Sequence, residues 1–129
     1  MRGILFIVFI CLRGLAFSQS NDCVELLKTV SVNWKQDSLT KEKFRYSVYK
    51  QILSCKPTNL TKEQVFQYLG KPALTTKWSQ GKQKGIGYSY YYWDSCTIPG
   101  EKCFERLYLT FNFDENGIFL YIADDMSCG

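Results

Sequence analysis

The spacing of apolar residues changes character once along this chain, from a helical period to strict alternation, and the change falls at Pro72. Before it, Cys23, Leu26, Leu27, Val30 and Trp34 recur at three- and four-residue intervals, which predicts a helix over 22–34. Phe44, Val48, Ile52 and Leu53 predict a second helix over 41–54, with Asp37-Ser38-Leu39-Thr40 as the break and cap between the two. The third helix is written most fully. Thr61 and Gln64 have the spacing of a capping box, and Leu60 and Val65 that of a hydrophobic staple. Gly70 suits a left-handed residue after the last turn, and Pro72 prevents continuation.

After Pro72 the period is two. Leu74 to Trp78 reads as a short strand and Ile86 to Trp93 as a strongly aromatic one. From Phe104 to Phe113, the residues Leu107, Leu109, Phe111 and Phe113 alternate with Arg106, Tyr108, Thr110 and Asn112. Asp114-Glu115-Asn116-Gly117 is a hairpin turn, because Asn-Gly tolerates the positive φ that tight hairpins require. Ile118 to Ala123 is the returning strand. Helices first and strands afterwards predict an α+β fold, with N-terminal helices packed on one face of a three- to four-stranded antiparallel sheet.

The first residues stand apart from this pattern. Arg2 precedes an apolar stretch, Ile4 to Leu12, that is too short to span a bilayer, and small Ala16 and Ser18 follow. Residues 1–18 therefore read as a signal peptide cleaved before Gln19, with 19–129 as one domain. Bulky Phe9 and Ile10 before Cys11 argue against a lipid anchor there. The expected location is secreted or periplasmic. Loss of Arg2 and Arg13 lowers the formal charge from +4 to +2, and no basic run of the kind that binds nucleic acid remains.

Cysteine usage fits export. Cys23 and Cys55 lie near the outer ends of two helical patterns and are expected to tie those helices together. Cys96 and Cys103 flank a turn-rich loop and are expected to pin it. Cys128 is then free, or takes the place of Cys96 or Cys103 in the second bridge. None of the spacings is of a zinc type.

Histidine is absent, which excludes Ser-His-Asp and Cys-His nucleophiles and any His-ligated zinc. Asp124 and Asp125 are adjacent, so on a strand they point to opposite faces and make a poor acid–base pair. No catalytic residue, metal ligand or cofactor site is expected. The tyrosines carry what functional signal there is. If helices cover the Leu/Phe row of the third strand, Tyr108 points outward, and the candidate contact residues are Tyr90, Tyr92, Arg106 and Tyr108. Tyr91 with Trp93 is the alternative exposed pair if the register differs, and aromatic cross-strand pairing for stability is the alternative role. Tyrosine combines broad contact area with few rotamers and a hydroxyl, which suits binding surfaces.

The capped helix ending in Leu69-Gly70-Lys71-Pro72, then Tyr90-Tyr91-Tyr92-Trp93, then Leu-Tyr-Leu-Thr-Phe-Asn-Phe-Asp at 107–114 with its Asn116-Gly117 turn, resembles the BamE-like (SmpA/OmlA) family of small envelope modules. The arrangement is also similar to the repeat unit of the β-lactamase inhibitory protein. The resemblance covers about residues 57–123. It implies a non-enzymatic binding or scaffold module of the bacterial cell envelope, acting on a protein partner, near the outer membrane without a transmembrane segment. The alternative it implies is a secreted inhibitor or immunity-type protein that blocks an enzyme by surface contact.

Overall fold

A computed structural model describes residues 22–94 and 105–128. The expected signal segment 1–18, Cys96 and Cys103 lie outside the described residues, and so does the expected bridge between those two cysteines. Three helices precede four strands: α1 (Cys23–Gln36), α2 (Phe44–Leu53), α3 (Lys62–Leu69), β1 (Leu74–Gln80), β2 (Gln83–Asp94), β3 (Glu105–Asp114) and β4 (Phe119–Cys128). The strands form one antiparallel sheet in the order β1-β2-β3-β4, an α+β architecture with the helices on one face.

Local chemistry explains each helix end. Asp22 caps α1 by accepting from the Glu25 N–H at 3.2 Å. At α3 both halves of the capping box are made: Thr61 Oγ1 accepts from Gln64 N at 3.1 Å, and Gln64 Oε1 accepts from Thr61 N at 3.0 Å. Gly70 ends α3 with φ 87° and ψ −158°. That region is open to glycine alone, and it differs from the left-handed helical conformation the sequence suggests. Lys35 Nζ donates to the Gln67 carbonyl at 2.7 Å, so α1 also satisfies the end of α3.

The start of α2 is less regular. Lys43 precedes it with φ 60° and gives no side-chain cap. Asp37 supplies the missing acceptor from a distance, taking Glu42 N at 2.9 Å and Arg45 N at 3.1 Å. Cys23 and Cys55 form a disulfide, Cα to Cα 5.0 Å, beside a parallel bridge in which Cys23 N donates to Lys56 O at 2.9 Å. The bond joins the start of α1 to the loop after α2.

The core lies between helices and sheet. Leu27, Val30 and Trp34 of α1, Ile52 of α2, and Val65 and Leu69 of α3 meet Tyr88, Tyr90, Tyr92, Leu109, Phe111 and Phe113. Leu60, the expected staple residue, is buried in the same cluster. Arg45 is buried as well. Its guanidinium lies 4.6 Å from the Trp34 ring centroid, Nε donates to Trp34 O at 2.9 Å, and Nη1 donates to Tyr91 O at 2.9 Å. The Tyr91 carbonyl is available because the β2–β3 pairing is irregular between Tyr91 and Trp93. Burial lowers the Arg45 pKa, and Asp37 opposes that shift. One cation thus joins α1, α2 and β2.

The strands run further than the sequence pattern indicates. β4 continues through Asp124 and Asp125 to Cys128, because its partner β3 offers a matching ladder back to Glu105.

Candidate contact face on the sheet

Residues directly opposite in an antiparallel pair share a face, so the register decides which tyrosines look outward. Tyr90 faces Leu109 and Tyr88 faces Phe111, which places both tyrosines on the helix side with the Leu/Phe row. Tyr91 faces Tyr108, and both belong to the opposite side.

This corrects two of the four expected contact residues. Tyr90 is 2% exposed and Tyr92 is 1% exposed. The Tyr90 hydroxyl donates to Gly70 O at 2.8 Å, and its ring meets Phe111 edge-on at 5.9 Å. Tyr92 stacks on Tyr49 of α2 at 4.2 Å and donates to Asp124 Oδ1 at 2.6 Å. Burial pushes both phenols well above the ordinary tyrosine value. A tyrosine row can line a core when each hydroxyl reaches a partner at the rim, and here both do. The alternative pair is divided too: Tyr91 lies outward, whereas Trp93 faces Leu107 and packs against the core.

The remaining two expected residues come together. Tyr108 and Arg106 lie two apart on β3, on the side away from the helices. Tyr91 and Tyr108 meet edge-to-face at 5.6 Å, with 77° between their planes. The Arg106 guanidinium sits 5.4 Å from the Tyr91 ring centroid, a cation–π geometry. Across β3, Asp125 is opposite Tyr108 and Ser127 opposite Arg106. Asp124 pairs with Leu109 on the other face, so the adjacent carboxylates do diverge.

Small residues pave the rest of this face. Ser89 and Thr110 share a hydrogen bond of 2.8 Å. A Cβ at Gly85 would stand 2.4 Å from the Trp78 ring and 2.3 Å from the Phe113 carbonyl, so glycine is what lets that indole lie flat on β2. A Cβ at Gly87 would meet Thr110 at 2.8 Å. Larger side chains border the paving: Leu74, 40% exposed and opposite Ser89, and Tyr121, 54% exposed and opposite Asn112. Sequence reasoning missed Trp78 and Tyr121 as members of this surface and held Tyr91 only as an alternative to the row with Tyr90 and Tyr92. The Gly85-x-Gly87 spacing was the available signal, since glycines two apart on a strand share a face and mark close approach there.

Among the described residues no group of three His, Cys, Asp or Glu side chains is placed to hold a metal ion. No described helix is long and apolar enough to cross a membrane. Compared with protein-family models, with curated proteins and with solved structures, the chain matches none.

Proposed function

We propose that this chain is a non-enzymatic, exported binding or scaffold module that acts by protein–protein contact through the outward sheet face. The observation that carries the reading is the cluster of Tyr91, Tyr108 and Arg106, held edge-to-face and cation-over-ring on the side of the sheet away from all three helices. Preformed aromatic and arginine side chains lose little freedom on binding, and such residues dominate the energetics of protein interfaces. The Cys23–Cys55 disulfide is compatible with an oxidising compartment. Placement in the bacterial cell envelope rests on the BamE-like resemblance alone.

The experiment begins with affinity capture of the mature protein from its native source. Tyr108→Ala and Tyr91→Ala are then compared for partner affinity and for denaturant midpoint. A contact role predicts affinity losses of about 2 kcal/mol or more with the midpoint nearly unchanged. A large midpoint loss with affinity intact would assign the cluster to the fold and refute the reading. A captured hydrolase or toxin inhibited on binding would favour the inhibitor function over the scaffold one.

A further inference from the structure

The outward face of the sheet is uneven. Following the pairings across it, one row runs Thr76, Gly87, Asn112 and Tyr121, and the next runs Leu74, Ser89, Thr110 and Ala123. The middle of both rows is small and polar, and larger side chains stand around it. Trp78 lies over Gly85 at the turn end, Tyr91 and Tyr108 close the opposite end, and Tyr121 stands on β4. Six residues along β2 and three strand spacings give this frame about 20 Å by about 14 Å. Asn112 is the informative residue of the floor. It is 5% exposed, and its Oδ1 lies 2.9 Å from where a Gly87 Cβ would stand, so the amide points up over Gly87. Its Nδ2 donates a long bond of 3.4 Å to Thr110 O, while Oδ1 accepts from nothing among the described residues. Beside it Ser89 and Thr110 share one hydrogen bond, which leaves the second hydroxyl hydrogen of the pair to donate elsewhere.

We infer that this depression binds a neutral carbohydrate, with part of an oligosaccharide seated on the floor between the rings. The site goes beyond the protein-contact reading and does not depend on it, since Thr76, Trp78 and Asn112 lie outside the cluster of Tyr91, Tyr108 and Arg106. Each part of the depression selects this chemistry. A sugar ring presents flat faces of C–H groups that pack on aromatic rings, and an edge of hydroxyls that both donate and accept. Aromatic walls with a few convergent polar groups are the usual makeup of a site for such a ligand. The floor supplies a carbonyl acceptor at Asn112 and a hydroxyl donor at the Ser89–Thr110 pair. An apolar protein side chain seated there would bury both groups without partners, which is destabilising. Acidic sugars fit poorly, because Asp114 and Asp125 stand at opposite ends of the same face and Arg106 lies beyond the tyrosines. Among the described residues nothing accepts from Trp78 Nε1, so packing on Gly85 is what seats that ring.

The test is a nuclear magnetic resonance titration of the mature protein with cellotetraose, chitotetraose, a galacturonate tetramer and a Tyr-Gly-Tyr-Gly peptide. The indole N–H of Trp78 and the side-chain amide of Asn112 should shift with at least one of the two neutral sugars. The shifts should saturate below about 10 mM, the range of a single weak site. Thr76 is exposed and opposite Gly87, so Thr76→Trp lays a second indole on the floor and leaves the core untouched. That variant should weaken binding at least about tenfold with its denaturant midpoint nearly unchanged. Trp78→Ala and Asn112→Leu should weaken it comparably, with midpoints read in parallel to separate loss of the site from loss of the fold. No shift with either neutral sugar would overturn the proposal. So would tighter binding of the galacturonate or the peptide, or an affinity that ignores Thr76→Trp, because another ligand class or another surface would then be responsible.

Discussion

Replacing Arg45 by methionine removes a buried side chain that joins α1, α2 and the irregular stretch of β2. The guanidinium makes two charge-assisted bonds to carbonyls, at 2.9 Å to Trp34 O and 2.9 Å to Tyr91 O. Bonds of this type contribute roughly 1.5–3 kcal/mol each. The losses are not equal. Trp34 O keeps a second donor, the Asp37 N–H at 3.2 Å, whereas Tyr91 O loses its cation. Removing a buried cation also relieves a desolvation penalty, and methionine refills part of the space against the Trp34 ring. The net expectation is a loss of about 3 kcal/mol, or roughly 10 °C in melting temperature for a domain of this size. Arg45→Lys keeps the charge without the planar fork and should fall between the two. Guanidinium denaturation followed by tryptophan fluorescence measures both variants, with the slope checked for constancy. A loss below about 1 kcal/mol for Arg45→Met would refute the view that this cation holds the helices to the sheet.

Opening the Cys23–Cys55 bond by Cys→Ala at both positions should lower stability by about 3–4 kcal/mol, given a separation of 32 residues in the loop-entropy account; comparison of denaturant midpoints tests it. Gly70→Ala should cost roughly 1–3 kcal/mol through backbone strain alone, because the nearest atom to an added Cβ is Lys35 Cε at 4.0 Å. An unchanged midpoint would remove Gly70 as the terminator of α3. Tyr90 has its pKa raised by burial, so above the unfolded value near 10 the unfolded chain holds fewer protons than the folded one. Stability that is intact below about pH 10 should then decline as pH rises towards the folded value, by up to about 1.4 kcal/mol per pH unit for this group. Tyr90→Phe should flatten that alkaline decline, as read by denaturant midpoints across pH.

The sequence by itself determined the order and kind of the elements. Period 3.6 before Pro72 and period 2 after it report which side of each element meets the core, and that information is local. The α3 capping box, the β3–β4 turn through Asn116-Gly117 and the Leu/Phe row of β3 are legible for the same reason: each depends on residues a few positions apart. Which tyrosine row faces the helices is a different kind of fact. Alternation says that Tyr90 and Tyr92 oppose Tyr91, but either set satisfies the pattern until a partner strand sets the parity. The pairing of Tyr90 with Leu109 settled it, and the irregular step after Tyr91 then brought Tyr92 under α2 as well. Arg45 was invisible for a related reason, since a charged residue on a helical pattern reads as solvent-facing. Only the tertiary structure supplied the two carbonyls and the indole that make its burial favourable. The division follows sequence distance: short-range chemistry writes the elements, and contacts across 46 residues, such as Arg45 to Tyr91, decide which faces they present.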